Sequence, residues 1–507
     1  MSSVSLAAAE APLVLALDLG TSSFRALCYD GKARVVEGCE EQIAHTPRVT
    51  ADGGVVADAA ELFDLLVLCI DGALHRLGRR ASDLVAVGSS CFWHSLVGTG
   101  PEGEPTTPLL LWADTRSGPF VKELKHELDP LEVQQRTGCI LHSSYWPAKL
   151  RWLQATSPDA YQRTTMFLSF AEYAARRLQN DSRVSLSMAS GTGLLAIASA
   201  TWDSAMLDHL NLSRERLPEL MDIDQPQHPL SPRYAERWPA LADVPWFPAA
   251  GDGACANTGS GAVHPDTFAL TLGTSGALRL VRDDANAESP AGIWTYRLDA
   301  RHAVVGGSLS NGGNLLAWLG DLFDIDFDGD AIDDAARLKA DGHSLTVLPF
   351  IAEERAPGWN DEVTGVIAGL KLGTQPEQVI RAAMESVAYR FARVYDQLCP
   401  LAKTDHRIVA NGGAILRSPA WIQIVADTLG HELRTLPAEA EVSGRGAAII
   451  ALVGSGHLTG YDAAPDPSEQ QPVYQPNPAN HDRYRAAIAR QQLLESHLFP
   501  DGGTWDQ

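Results

Sequence analysis

The chain writes one short plan twice. Residues 15–27 read LALDLGTSSFRAL and residues 269–280 read ALTLGTSGALRL. Each is an apolar strand, a Leu-Gly-Thr-Ser turn and a second strand. A single turn of this kind fits an ordinary hairpin, because Gly and Ser are common turn formers. Two of them, each opening one half of a 507-residue chain, argue for a duplicated unit. A chain of this length also exceeds what one hydrophobic core supports, so two large domains are expected. Glycine lets backbone approach a ligand closely, and Thr/Ser hydroxyls with bare N–H groups are phosphate donors. Two such turns across a cleft suit a polyphosphate. No GxxxxGK[ST] loop occurs, which excludes a Walker-type NTPase, and the first half has no GxGxxG at a strand-to-helix junction.

The rest of the first half alternates strand-like and helix-like patterns. Leu62, Leu65, Leu66, Cys69, Ile70 and Leu74 recur at helical spacing over 59–77, and DLVAVGSS (83–90) reads as a strand ending in small residues. That alternation predicts an α/β layer architecture. Six prolines between Pro226 and Pro248 suit neither a long helix nor a central strand, and the segment reads as surface chain leading to a domain boundary and hinge. The expected division is a loose, disordered terminus over 1–11, an N-terminal domain over 12–249 and a C-terminal domain over 250–507. The tail over 484–498 reads as an amphipathic helix.

Charge narrows the partners. The net charge of -23 and the lack of any long Lys/Arg run argue against nucleic acid and anionic membrane. The seven scattered cysteines, never spaced CxxC, argue for reduced thiols in a cytoplasmic chain and against a disulfide framework or zinc site. No apolar run reaches the roughly 18 residues of a membrane span. The partner expected is a small molecule, with self-association left open.

Several stretches resemble the FGGY carbohydrate kinases, within the actin-like, sugar-kinase ATPase superfamily. GVIAGLKLGTQPEQVIRAAMESVA (365–388) is similar to that family's C-terminal signature throughout, and SYWPAKLRWLQ (144–154) to its N-terminal one in part. There Lys149 and Trp152 fit, while Trp146 stands where a small hydroxyl residue or Pro is usual. DLGTSSFR and TLGTSG resemble the two phosphate motifs, and NGGAILRSPAWIQIVADTLG (411–430) the adenosine motif. CFWHS (91–95), LLLWADTR (109–116) and AEERAPGWN (352–360) are most similar to the family's gluconate kinases.

The resemblance implies two actin-like (ribonuclease H-like) ATPase domains that close over an interdomain cleft, with ATP and Mg²⁺ as cofactors. It implies transfer of a phosphoryl group to a sugar or sugar acid, D-gluconate giving 6-phosphogluconate. Xylulose, ribulose or glycerol are alternative acceptors, and an actin-like module without an acceptor is a remote one. Asp252, in AAGDGACAN, is then the general base, its flanking glycines admitting substrate and phosphate; without the family it is a loop aspartate. Asp18 is the Mg²⁺ partner through water, or a turn cap, or both. Thr21, Ser22, Ser23 and Arg25 contact phosphate from one side, Gly273 and Thr274 from the other. Gly313 touches ATP, and Gly412, Gly413 and Arg417 flank adenosine. Trp93, His94, Asp114 and Arg116 are the substrate candidates, and Arg116 or Arg355 would bind a C1 carboxylate. Trp93 reads equally as core, His94 as a histidine satisfied by backbone, and Asp114 with Arg116 as a mutual salt bridge.

Overall fold

The computed structural model describes residues 3–286, 288–325, 334–335, 337–360, 362–437 and 440–500. Residues 1–2 and 501–507, the ends of the two expected outer spans, lie outside the described residues. The first half contains β1 (Ser3–Ser5), β2 (Leu13–Leu19), β3 (Ser23–Tyr29), β4 (Val35–Glu37), α1 (Ala59–Leu77), β5 (Leu84–Cys91), β6 (Ala250–Gly251) and α2 (Asp252–Gly259). The second contains β7 (Thr267–Leu272), β8 (Gly276–Arg282), β9 (Trp294–Arg297), β10 (Ala303–Leu309), α3 (Gly313–Phe323), α4 (Pro376–Leu398), β11 (Arg407–Asn411), β12 (Leu433–Thr435), α5 (Val442–Gly454) and α6 (Pro478–Leu498).

The duplicated plan is real at the level of topology. In the first sheet the order β1-β4-β3-β2-β5-β6 runs from antiparallel neighbours around the β2–β3 hairpin to parallel ones at β5 and β6. In the second, β9-β10-β8-β7-β11-β12 repeats that change of sense, with the β7–β8 hairpin antiparallel and β11 and β12 parallel. Each parallel strand next to a hairpin is preceded by a long helix, α1 before β5 and α4 before β11. Local chemistry sets those helices. The Asp58 carboxylate caps α1 by accepting from the N–H groups of Ala60 and Glu61, and Gly78 ends it at φ 54°. Pro376 opens α4 at a position whose N–H has no helical partner.

Three boundary expectations change. Ser3–Ser5 is a parallel edge strand on β4, so the terminus is ordered where it was expected loose. The Arg80 guanidinium fixes it by donating to the carbonyls of Leu6 and Ala9. The division at 249/250 also falls too early. Ala250–Gly251 pairs with Ser90–Cys91 in the first sheet, so Asp252 leaves the first half's sheet rather than opening the second half. The proline-rich segment is largely surface chain over 224–240, as expected, but its end joins the first sheet, where the Pro245 carbonyl accepts from the Val87 N–H and the Phe247 N–H donates to the Val87 carbonyl. The tail helix extends from 478 to 498 and packs back on the chain, where Tyr484 meets Arg381 and Glu385.

One helix stitches the halves together. α5, from the second half, packs on β2, β5 and α2 of the first. Gly446 and Gly259 make this contact possible, since a Cβ on either would overlap backbone of the opposing helix. Arg445 adds donors to the carbonyls of Ala33, Gly259 and Pro465. Among the described residues no helix is long and apolar enough to cross a membrane, and all seven cysteines are free.

Candidate active site

Asp252 stands where β6 hands over to α2, at the carboxyl end of the first sheet. The Gly253 N–H donates to its Oδ1 at 2.8 Å, and the carboxylate is open to solvent in a cleft. The protein mass around it raises its pKa, while Arg279, that N–H and Arg355 oppose the rise. The flanking glycines serve a purpose other than the expected one. The Trp93 ring fills the space where side chains on Gly251 and Gly253 would lie, the latter coming within 2.6 Å of Cζ3. They make room for an indole wall, not for phosphate.

Asp18 shares this end of the sheet. It pairs in register with Ser90 on β5 and with Arg25 on β3, and burial pushes its pKa up to about 6 against the pull of Arg25. The Asp252 charge raises it further. Two carboxylates that repel each other at the end of the sheet, one of them open to solvent, fit a divalent cation, and Mg²⁺ takes few carboxylates while keeping its waters. Arg25 is not free beside them, because its guanidinium forms an ion pair with Glu441 at the start of α5. The first turn is braced from behind by His45, whose N–H donates to the Ser22 carbonyl and whose Nε2 lies 3.1 Å from the Gly20 carbonyl. Ser23 accepts a hydrogen bond from Gln42, whereas the hydroxyls of Thr21 and Ser22 have no partner among the described residues.

The second turn is a platform of bare backbone. The N–H of Gly313 donates to the Gly273 carbonyl at 2.8 Å, and that of Asn314 to the Thr274 carbonyl at 3.1 Å. Gly412 sits at φ +115° against Leu272, where any side chain would meet backbone. Gly273 and Gly413 face open space, and Arg417 folds back to donate to the Gly413 carbonyl at 2.8 Å. Gly273, Thr274, Gly313, Gly412, Gly413 and Arg417 are therefore brought together. A flat heterocycle and a phosphate tail fit such side-chain-free backbone with exposed donors.

The acceptor side is an aromatic chamber. Trp93 is buried, its Nε1 donating to the Ser187 carbonyl, and its ring lies 4.7 Å from that of Tyr296. His94 sits at φ 69° with Nδ1 2.6 Å from the Gly191 carbonyl. A carbonyl only accepts, so Nδ1 carries the proton and Nε2 is left as an acceptor. Burial drives this imidazole's pKa down to about 3, so it stays neutral. Lys149 ties the chamber from beneath, donating to the carbonyls of His94 and Leu111. The Tyr145 and Tyr296 hydroxyls meet at 2.5 Å across the two halves.

The two arginines proposed for a carboxylate differ. Arg116 donates Nε and Nη2 to Asp114, whose Oδ2 also takes the Val55 N–H, and its guanidinium stacks 4.3 Å over Trp152. Asp114 and Arg116 form the mutual salt bridge of the WADTR turn, which engages Nε and Nη2 of the guanidinium. Arg355 donates Nε to Ser310 Oγ and lies 5.1 Å over Trp112, and burial lowers its pKa against the pull of the Glu353 and Asp252 carboxylates. It faces the chamber.

Sequence reasoning missed Arg279, Tyr145 and Tyr296. Arg279 had a signal, a lone cation inside the apolar strand GALRLV. Tyr296 had none, since β9 reaches the chamber only through the second sheet.

Comparison with known proteins agrees with this architecture. Residues 13–259 match the N-terminal domain of the FGGY family of carbohydrate kinases and residues 268–455 its C-terminal domain. A gluconokinase from Bacillus subtilis (strain 168) is 29% identical over 475 residues, covering 89% of this chain and 90% of that protein. A xylulose kinase from Streptomyces rubiginosus is 31% identical over 473 residues, covering 90% and 91%. The crystal structure of a gluconate kinase from Lactobacillus acidophilus superimposes with a TM-score of 0.89 at 24% identity, covering 96% of this chain and 98% of that one.

Proposed function

The chain belongs to the FGGY family of carbohydrate kinases, and on that premise we propose that it phosphorylates a sugar acid, D-gluconate, to 6-phosphogluconate. The observation that carries the choice of acceptor is Arg355. Its guanidinium is turned into the aromatic chamber near Asp252 and is not paired off as Arg116 is. A C1 carboxylate distinguishes a sugar acid from a neutral sugar and calls for such a group. The resemblance to a Bacillus subtilis gluconokinase points the same way.

In this reading Asp252 accepts the proton of the attacking hydroxyl, its Oδ1 held by the Gly253 N–H. Neutral His94 offers Nε2 to a sugar hydroxyl, and Trp93 closes the apolar side. Gly273, Thr274, Gly313, Gly412 and Gly413 hold ATP from the second half, with Thr21 and Ser22 opposite and Arg417 beside the base. Asp18 would hold Mg²⁺, which would neutralise charge on the phosphoryl group that ATP would supply. Arg25 contributes only if it leaves Glu441.

A second reading keeps the kinase and replaces the acceptor with xylulose, favoured by the 31% identity to a xylulose kinase. A coupled ADP-release assay with Mg-ATP across gluconate, xylulose, ribulose and glycerol separates the two. Turnover confined to gluconate is expected, and turnover confined to a neutral sugar would replace the first reading with the second.

A further inference from the structure

Arg279 lies on β8, a strand with neighbours on both sides, where a charged side chain is costly unless something pays for it. Nothing in the fold fully does. Nη1 donates to Thr271 Oγ1 at 3.3 Å, but Nε is hidden from solvent and has no partner among the described residues. Gly253 leaves the space it occupies, since a Cβ there would come within 3.0 Å of that Nε. Arg279 therefore touches the residue after Asp252 from the chamber side, next to the Trp93 ring.

The second observation is its neighbour. Burial disfavours the charge of both Arg279 and Arg355, and Arg355 disfavours that of Arg279 as well. Asp252 is a carboxylate that both feel, and it must stay open to take a proton. Glu353 is the charge that acts most on Arg355 and Asp252 the one that acts most on Arg279, yet the Arg279 Nε still has no partner among the described residues, which leaves a donor for an anion that enters the chamber.

We propose that Arg279 and Arg355 act as a pair that clamps the carboxylate of the acceptor, and that Arg279 is the residue that sets the preference for a sugar acid over a neutral sugar. This rests on the reading of the acceptor as a sugar acid. Arg355 enters from the loop between the paired strands Thr346–Leu348 and Val366–Ala368 and Arg279 from the second sheet itself, so the two approach from different elements. Two donors from different directions select a flat, bidentate anion over a hydroxyl, which satisfies only one of them.

The test compares wild type with Arg279→Met, Arg279→Lys and Arg355→Met. kcat and KM are measured for gluconate and for xylulose, with ATP-induced thermal shift as the check that each variant folds and binds nucleotide. The expected result for Arg279→Met is a loss in kcat/KM of roughly 10- to 100-fold on gluconate, mostly in KM. That loss should exceed the one on xylulose by about 10-fold or more, and Arg279→Lys should recover part of it. Equal losses on both acceptors would overturn the clamp and assign Arg279 to the transferring phosphoryl group. An unchanged preference in a wild-type enzyme that does use gluconate would overturn the clamp alone. A wild type that turns over only the neutral sugar would overturn both the clamp and the acceptor reading beneath it. Should Arg279→Met give no ATP shift, the Lys variant carries the comparison, and full gluconate preference without a bidentate group would sink the proposal.

Discussion

The two Gly-Thr-Ser hairpins are the same frame carrying different chemistry. In the first, four residues separate Leu19 from its partner Phe24; in the second, three separate Leu272 from Gly276. That one-residue difference shifts the register, so Arg25 lies opposite Asp18 while Ala277 lies opposite Thr271. A carboxylate and a guanidinium therefore stand next to the first turn, and a hydroxyl and a methyl group next to the second. The second hairpin's cation, Arg279, is opposite Ala269, two residues further from its turn on the same face. Its backbone therefore lies about 7 Å further from the turn, while its Nη1 reaches back to Thr271 Oγ1. A shorter turn thus leaves the two duplicated hairpins with different side chains beside them.

The largest effect should come from the group the two hairpins share. Asp252 lies beside Asp18 of the first and Arg279 of the second. Asp252→Asn keeps the Gly253 contact and loses the proton acceptor. A fall in kcat of about 10²- to 10⁴-fold is expected, with ATP binding retained by thermal shift. A variant with near-normal turnover would remove Asp252 from proton transfer.

The asymmetry itself is broken next. Asp18→Asn takes the carboxylate from the first hairpin and leaves both backbones alike. The expected outcome is a several-fold or greater rise in the Mg²⁺ concentration needed for half-maximal turnover, measured at saturating ATP. Thr271→Val, at the matching position of the second hairpin, should leave that requirement where it was. Equal effects of the two changes would mean that the hairpins share the cation's charge evenly, and the division drawn above would fail.

How much of this was legible depends on distance along the chain. The paired turns, α1 and the strands either side of each turn follow from local pattern, while Gly313, Gly412 and Gly413 were singled out by the family resemblance. Asp18 was singled out by the turn that follows it, whereas Asp252 was singled out only by the family resemblance. Trp93 was legible as a residue but not as the reason for Gly251 and Gly253, because the indole and the glycines are about 160 positions apart. Arg116 and Arg355 read alike in sequence. Only the fold shows that one is folded onto Asp114 and Trp152 while the other faces the chamber. β6 was misassigned for a related reason, since two residues carry no period and their partner strand is β5.

A smaller effect tests the buried histidine. His94 holds its pKa at about 3 in the fold, against about 6.5 in an unfolded chain. Between those values the unfolded chain takes a proton that the folded one refuses, so stability falls as pH falls through this window and is complete above it. His94→Gln keeps a donor for Gly191 and removes the titration. Its melting temperature should depend less steeply on pH between about 6.5 and 4 than that of wild type, by up to one proton's worth of slope. Parallel curves for the two proteins would mean that the imidazole is charged in the fold, and then Nε2 could not accept from a sugar hydroxyl.

The smallest expected effect separates the two arginines that the sequence could not. In Arg116→Ala the Asp114 carboxylate keeps its Val55 N–H but loses its ion pair, and Trp152 loses its cation. This turn is part of the chamber's wall and not of its contents, so the change should lower the melting temperature by a few degrees, about 1 kcal/mol or somewhat more of stability. The KM for gluconate should rise no more than about threefold, which is under 1 kcal/mol. Arg355→Ala should do the reverse, raising that KM by roughly tenfold or more with little change in melting temperature, because its ion is held by a serine, a carbonyl and an indole face. If the two variants exchanged these signatures, the carboxylate would belong to the first half's WADTR turn. The pairing of Arg116 with Asp114 would then be a resting arrangement that substrate displaces.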